Sequence, residues 1–171
     1  MDPEFETDFR RFVVGTSAAL FRTAYLLTGD RWAAEDLVQT ALAKTAAKWD
    51  TIRDPEAVEG YVRRVMYNEQ VSSWRRRFRG FHEVPTDSPP EVADRGHEDA
   101  VELRQAMRTA LARLTPRQRT ILVLRYFEDM SETEISSVLG IGVGSVRSQI
   151  HRSLERLKKV SPELSTVRGS G

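Results

Sequence analysis

An acidic, proline-rich segment at residues 82–99 divides this chain into two parts. The segment, HEVPTDSPPEVADRGHED, contains six acidic residues against one arginine, and it has three prolines and no apolar periodicity. Proline disfavours a continuing helix and extends the backbone around it. We therefore predict an acidic flexible linker at residues 79–97, between an N-terminal domain at 5–78 and a C-terminal domain at 98–162.

Both parts show the periodicity of helices. Apolar residues recur at helical spacing, and neither strand alternation nor glycine hairpin turns appear. A break at residues 28–30 separates the first two helices, with Asp30 as the N-cap of the second, which continues to about Trp49. Asp54 precedes Pro55 in a good cap and first-turn pair for a third helix, which reaches about Phe78. The sequence predicts an all-α fold of two small helical domains.

Composition argues against several functional classes. Cysteine is absent, which excludes disulfides and thiolate metal sites. The three histidines are scattered, and no phosphate-binding glycine loop or nucleophile–base motif is present. No run of 18 apolar residues or signal pattern occurs, so we expect a cytoplasmic protein without membrane insertion. An enzyme is the least favoured class, and we expect no catalytic residues, cofactor or metal.

The C-terminal domain contains a helix-turn-helix pattern. Thr115 and Gln118 fit a capping box at the start of one helix, and Ser131 and Glu134 fit another. Gly140 is suited to end the second of these helices. An inner apolar stripe then follows at helical spacing, formed by Val146, Ile150, Leu154 and Leu157. A short helix, a four-residue turn with glycine and a longer helix are typical of this motif.

The outer face of the last helix has side chains suited to duplex DNA. Arginine contacts guanine at two atoms, and serine and histidine reach bases or phosphates. A solvated basic face is the alternative, but two consecutive capped helices with this turn favour DNA binding. The candidate residues are Ser145, Arg147, Ser148, His151 and Arg152.

The third helix of the N-terminal domain is basic in a different way. Residues 63–79 hold six arginines against Glu69, interleaved with aromatic residues. A base stacked on an aromatic ring contributes roughly 1–3 kcal/mol, so this pattern suits single-stranded DNA. Trp74 and Phe78 are equally suited to a hydrophobic core, and the sequence leaves both possibilities open.

Four stretches in this order resemble one protein family over nearly the whole chain. They are LFRTAYLLTGDRWAAEDLVQTALAK, YVRRVMYNEQVSSWRRR, LTPRQRTILVLRYFEDMSETEISSVLG and VGSVRSQIHRSLERL. Together they resemble a bacterial RNA polymerase sigma factor of the extracytoplasmic-function (ECF) type, close to the actinobacterial SigE-like group. The resemblance implies promoter-specific transcription initiation with core RNA polymerase.

The resemblance also implies roles for residues. The last helix would read the −35 element through the five residues named above. A melted −10 strand would be held by the third helix, with Asn68 at the position associated with base capture and neighbours Tyr61, Arg64, Trp74, Arg75 and Arg76. Binding to the polymerase β′ clamp helices would use Glu35, Asp36 and Gln39.

Further partners follow from the same resemblance. The C-terminal domain would dock on the β flap, the linker would pass toward the RNA exit channel, and an anti-sigma factor would hold the protein inactive. The isolated chain is expected to bind promoter DNA poorly. The alternative is a helix-turn-helix regulator that is not a sigma factor, because the C-terminal motif also resembles response-regulator output domains. Such a regulator would need a receiver or ligand domain before it, and the first domain has no strand–helix alternation.

Overall fold

The computed structural model describes residues 2–52, 54–78 and 98–166, and these residues form helices without any strand. The all-α prediction is confirmed. The predicted linker at 79–97 lies outside the described residues. The N-terminal helices are α1 (Pro3–Thr28), α2 (Arg31–Ala47), a 3₁₀ turn (Trp49–Thr51) and α3 (Pro55–Phe78). The C-terminal helices are α4 (Glu98–Ala112), α5 (Pro116–Tyr126), α6 (Glu132–Leu139), α7 (Val143–Val160) and α8 (Glu163–Thr166).

The break between α1 and α2 has the local chemistry expected from the sequence. Gly29 adopts a left-handed conformation with φ of 70°, and its amide donates to the Tyr25 carbonyl at 2.8 Å. Asp30 then caps α2 by accepting from the Ala33 amide at 2.8 Å. The sharp turn places α1 and α2 side by side, and α3 packs across them.

The end of α2 differs from the prediction. The helix ends at Ala47, and Trp49 belongs to a 3₁₀ turn instead of the last helical turn. The Trp49 ring packs edge-on against Phe5 and Phe9 at centroid distances of 6.1 and 5.3 Å. The α2 helix therefore ends just before the residue whose ring contacts the start of α1.

Both predicted capping boxes are present in the C-terminal domain. The Thr115 and Ser131 hydroxyls accept from backbone amides three residues later, and the third-position side chains bond back to the cap amides. Gly140 ends α6 with φ of 67°. Val146 and Ile150 are buried, which fixes the inner side of α7.

The two domains pack against each other. Helix α1 contacts α4 and α5, and α3 contacts α5 and α6. Buried residues of both domains belong to one hydrophobic cluster, including Leu27 and Met66 from the first and Leu111 and Ile121 from the second. The sequence did not predict this contact between the N-terminal and C-terminal helices.

Candidate nucleic-acid interfaces

The polar face of α7 is open to solvent. Its N-cap is Gly142, which supplies no capping side chain, and the helix runs from there with its apolar stripe turned inward. All five candidate duplex-binding residues are exposed: Ser145, Arg147, Ser148, His151 and Arg152. An exposed row of this kind at the N-terminal end of the second helix of the motif is where base edges are met in the major groove.

Arg147 on this face has a partner that the sequence reasoning missed. Its Nε and Nη2 atoms donate to one carboxylate oxygen of Glu132, at 3.1 and 2.8 Å. The hydrogen bond and then the charge of Glu132 raise the pKa of Arg147. Glu132 is the first residue of α6, so the first helix of the motif orients an arginine of the second. The only local signal was an acidic residue directly after the Ser131 cap.

The candidate strand-binding residues on α3 have mixed surroundings. Tyr61 is half-buried, and the other polar candidates are exposed: Arg64, Asn68, Arg75 and Arg76. Arg64 donates to the Ser137 hydroxyl of α6 at 3.1 Å, and Arg75 donates to the Leu139 carbonyl at the end of α6. Two of the candidate arginines are therefore engaged by the C-terminal domain.

Trp74 is buried, with an exposed fraction of 5%. The Arg117 guanidinium of α5 lies over its ring at 5.7 Å from the centroid, a cation–π contact between the domains. The indole N–H has no hydrogen-bond partner among the described residues. In this arrangement Trp74 packs in the core, and its strand-binding role stays a prediction. The Phe78 side chain lies outside what the structure describes.

Glu128, in the loop after α5, joins three side chains of the N-terminal domain. It accepts from the Thr23 hydroxyl at 3.0 Å, from Arg63 Nη1 at 3.3 Å and from the Tyr67 hydroxyl at 2.6 Å. Burial and then the hydrogen bond to Glu128 raise the pKa of Tyr67 well above its usual range. Burial alone would lower the pKa of Arg63, but Glu128, Glu59 and Tyr67 together outweigh it and raise the pKa.

Two arginines cross the domain boundary in opposite directions. Arg119 of α5 donates to the Thr28 carbonyl at the end of α1, while Arg75 of α3 donates to the Leu139 carbonyl at the end of α6. A cation at a helix C-terminus is favoured by the helix dipole and by the free carbonyls there. Each domain thus supplies an arginine to a helix end of the other.

The candidate polymerase-binding residues lie on α2, where Asp36 lines a cavity together with Pro116 of α5, at the edge of the domain contact. Asp36 and Gln39 are exposed, while Glu35 is half-buried and pairs with Arg31 at 3.5 Å. Asp36 and Gln39 are three positions apart, so they share one helix face. The closed arrangement of the two domains leaves this face available.

Other kinds of site find little support in the described parts of the chain. No group of three or more acidic, histidine or cysteine side chains there has the geometry to hold a metal ion. None of the described helices combines the length and apolar character needed to cross a bilayer.

A helical chain with an exposed helix-turn-helix face and a second, arginine-rich helix belongs to the class of DNA-binding transcription proteins. Comparison with known families is more specific. The family model for Sigma-70 region 2 matches residues 14–80, and the model for Sigma-70 region 4 matches residues 104–157. Together these matches cover more than half of the chain, which belongs to the sigma-70 family, among the ECF sigma factors.

Individual relatives agree with this assignment. The RNA polymerase sigma-E factor of Streptomyces coelicolor is 39% identical over 156 residues, covering 89% of this chain and 85% of the relative. The ECF RNA polymerase sigma factor SigE of Mycolicibacterium smegmatis is 32% identical over 81% of this chain and 56% of its own length. The solved structure of RpoE from Bartonella quintana, in complex with the anti-sigma factor NepR, matches with a TM-score of 0.59 and 26% identity, covering 90% of this chain and 96% of that one.

Proposed function

We propose that this ECF sigma factor directs core RNA polymerase to promoters by reading a duplex −35 element with α7 and holding a melted −10 strand with α3. The observation on which the proposal chiefly depends is the exposed polar face of α7 in a helix-turn-helix whose inner stripe is buried. The two family matches, one on each domain, support assigning duplex binding to α7 and strand binding to α3.

In the −35 role, Arg147 is the main candidate for direct base contact. Its Nε and Nη2 donate to one carboxylate oxygen of Glu132, so a two-acceptor contact of these atoms with guanine would require the guanidinium to leave Glu132. Ser148, His151 and Arg152 extend the same face, and Ser145 lies one turn nearer the helix N-terminus. Lys158 and Lys159, farther along α7, suit phosphate contacts that position the helix without specifying sequence.

In the −10 role, Asn68 is the proposed base-capturing residue, because its amide offers donors and an acceptor to a base edge. Arg64, Arg75 and Arg76 would follow the strand backbone, with Tyr61 and Trp74 as stacking surfaces. Arg64 and Arg75 must leave their α6 acceptors to do so, and Trp74 must become exposed.

The proposed partners follow from the family and from the exposed faces. Asp36 and Gln39, with Glu35 beside them, are proposed to bind the β′ clamp helices, and the C-terminal domain is proposed to dock on the β flap. An anti-sigma factor is expected as the inhibitor, in line with the related RpoE structure, which contains one. We propose that the protein acts in the cytoplasm and leaves the chemistry of RNA synthesis to the polymerase.

Run-off transcription with bacterial core polymerase on a genomic fragment library tests this function. The chain should start transcription without another sigma factor, which a helix-turn-helix regulator would not do. Arg147→Ala should reduce transcription roughly tenfold or more at responsive promoters, the loss typical of one specific arginine–guanine contact. Arg156→Ala, an exposed arginine nine positions farther along α7 and outside the candidate set, is the matched control and should have little effect.

Co-elution with core polymerase tests the α2 contact separately. The double variant Asp36→Ala/Gln39→Ala should lose co-elution, while Asp50→Ala, an exposed aspartate just beyond α2, should keep it. Failure of the unaltered chain to co-elute with core enzyme, with any inhibitor absent, would contradict the proposed function.

A further inference from the structure

Four arginines line one cavity between the N-terminal and C-terminal helices. This arginine cavity has a volume of about 750 Å³ and is lined by residues of α1, α3, α4 and the loop after α5. Its cations come from both halves of the chain: Arg22, Arg63, Arg104 and Arg108. Among the described residues, Glu128 is the only acidic one in the lining. The cavity therefore has an excess of positive charge, although the net charge of the whole chain is only +1.

The four arginines differ in their partners. Arg63 is already compensated, since its guanidinium donates to Glu59 at 3.2 Å and to Glu128 at 3.3 Å. The other three arginines have no hydrogen bond or ion pair within the described parts of the chain. Glu128 is itself occupied by three other side chains. A cleft lined by uncompensated charges of one sign attracts and concentrates ions of the opposite sign.

The positions of the free cations indicate an anion with more than one charged group. Arg104 and Arg108 are four positions apart, so they share one face of α4. Arg22 belongs to a different helix, α1. Each guanidinium is a planar fork that binds two oxygens of a phosphate at once. A single carboxylate has too few oxygens for three such forks, whereas a di- or triphosphate has enough.

The remaining lining of the cavity is largely apolar. Leu26 and Met107 contribute to it, together with Phe127, whose side chain is 44% exposed. An exposed aromatic ring can stack on a nucleobase of any sequence, because every base has a π-face. Binding sites for small molecules typically have volumes of roughly 300–1,000 Å³, apolar walls and a few convergent polar groups, and they occur preferentially between domains. The arginine cavity has each of these features.

We propose that the arginine cavity binds a nucleoside di- or triphosphate. The phosphates contact Arg22, Arg104 and Arg108, and the base lies against Phe127. None of these residues belongs to the candidate DNA-binding sets on α7 and α3, so the inference is independent of the proposed promoter function. Because α1 and α4 both hold the ligand, its binding stabilises the folded chain.

Isothermal titration calorimetry on the full chain tests the ligand class. The probes are GTP, ATP, pyrophosphate and guanosine, in magnesium-free buffer so that the phosphates keep their full charge. Either triphosphate should bind with one molecule per chain. Pyrophosphate should bind more weakly because it has no base, and guanosine should give no measurable heat of binding because it has no phosphate.

Substitution of the α4 arginines tests the location of the site. Arg104→Gln/Arg108→Gln should weaken triphosphate binding roughly tenfold or more, since each loses charged hydrogen bonds to phosphate. Arg10→Gln/Arg11→Gln is the matched control, because it removes the same charge from exposed arginines of α1 that lie outside the cavity. This control should bind as the unaltered chain does.

Two single variants test the two ends of the ligand. Arg22→Gln, in the N-terminal half of the chain, should weaken triphosphate binding roughly fivefold to tenfold. Phe127→Leu should weaken triphosphate binding but leave pyrophosphate binding unchanged, because only the base contacts this ring. Circular dichroism and urea unfolding check that each variant is folded. We expect this because the side chains of Arg22, Arg104 and Phe127 are exposed.

Several results would overturn the proposal. Equal weakening by the cavity variant and the control would mean that binding follows total charge and not the cavity. Equal affinity for pyrophosphate and the triphosphates would exclude a site for the base. If Arg104→Gln/Arg108→Gln weakened the binding of a single DNA strand as much as that of GTP, the cavity would belong to a DNA-binding surface. In that case the nucleotide site fails, while the proposed promoter function stands.

Discussion

Helices α7 and α3 are both proposed to bind DNA, but their contacts with the rest of the chain differ. The polar face of α7 is exposed, and the interaction that orients Arg147 comes from Glu132 of its own domain. On α3, Arg64 and Arg75 donate to the other domain and Trp74 is buried. The two helices therefore differ in their contacts with the other domain, although Arg64, Asn68 and Arg75 of α3 are exposed.

The difference between the two helices fits the DNA proposed for each, a duplex for α7 and a melted strand for α3. Duplex DNA is always present, so a helix that binds duplex DNA gains nothing from being buried. A melted strand exists only after the polymerase has opened the promoter, and base unpairing costs a few kcal/mol per base. An arginine-rich, aromatic helix that was always exposed would bind single strands elsewhere.

The largest expected effect comes from the turn between α1 and α2. In Gly29→Ala the methyl group would lie 2.5 Å from Arg119 Nη1, and the residue would keep an unfavourable positive φ. The free energy of unfolding should fall by about 2–3 kcal/mol, since the backbone strain alone costs roughly 1–2 kcal/mol. Urea unfolding measures the loss.

Gly15→Ala is the matched control within α1. No atom lies within 4 Å of the added methyl group, and alanine in a helix interior should stabilise by about 0.5–1 kcal/mol. Equal unfolding midpoints for Gly29→Ala and Gly15→Ala would contradict the strain assigned to the turn.

A smaller effect should appear at alkaline pH through Tyr67. Because burial and Glu128 raise its pKa, Tyr67 stays protonated in the folded protein after it would ionise in the unfolded chain, near pH 10. Its stabilising contribution is complete below that pH and is lost as the pH rises further. The free energy of unfolding should therefore fall more steeply above pH 10 than in Tyr67→Phe, by at most about 1.4 kcal/mol per pH unit. Equal slopes for the two proteins would show that Tyr67 does not form its buried hydrogen bond with Glu128 in solution.

The smallest expected effect concerns the exposed helix. In Glu132→Gln the carboxylate that holds Arg147 is replaced by a neutral amide, so Arg147 is less ordered and a negative charge near the DNA is removed. Binding to non-promoter duplex by the polymerase complex should rise about twofold to fivefold, and discrimination in favour of the promoter should fall. Filter binding to both duplexes measures the ratio. Glu134→Gln, in the same helix turn, keeps its cap and should leave the ratio unchanged.

The sequence predicted local structure well because each signal is local. The Thr115 and Ser131 boxes, the left-handed Gly140 and the bounds of α3 depend on residues within a few positions of one another. The face of α7 followed from the period of Val146 and Ile150. The aromatic contact of Trp49 with Phe5 and Phe9 was missed, because its partners lie more than 35 positions away along the chain.

The contact between the domains could not be predicted for the same reason. Thr23 and Glu128 are 105 positions apart, and Arg119 and Thr28 are 91 apart. Glu128 belongs to no recognisable motif. The apolar periodicity of α5 does not predict that Arg119 is buried. The burial of Trp74, which the sequence left open, is decided partly by Arg117, a residue of the other domain.

The hydrogen bond of Arg75 to α6 should respond to salt differently from a contact of Arg75 with DNA. The acceptor on α6 is a neutral carbonyl at a helix end, whereas the same guanidinium on DNA would face a charged phosphate. Dissolved ions weaken contacts with phosphate steeply, through the counterions that a nucleic acid holds, but they affect a bond to a carbonyl much less. A higher salt concentration should therefore favour the hydrogen bond of Arg75 to Leu139 over its binding to a nucleic-acid phosphate.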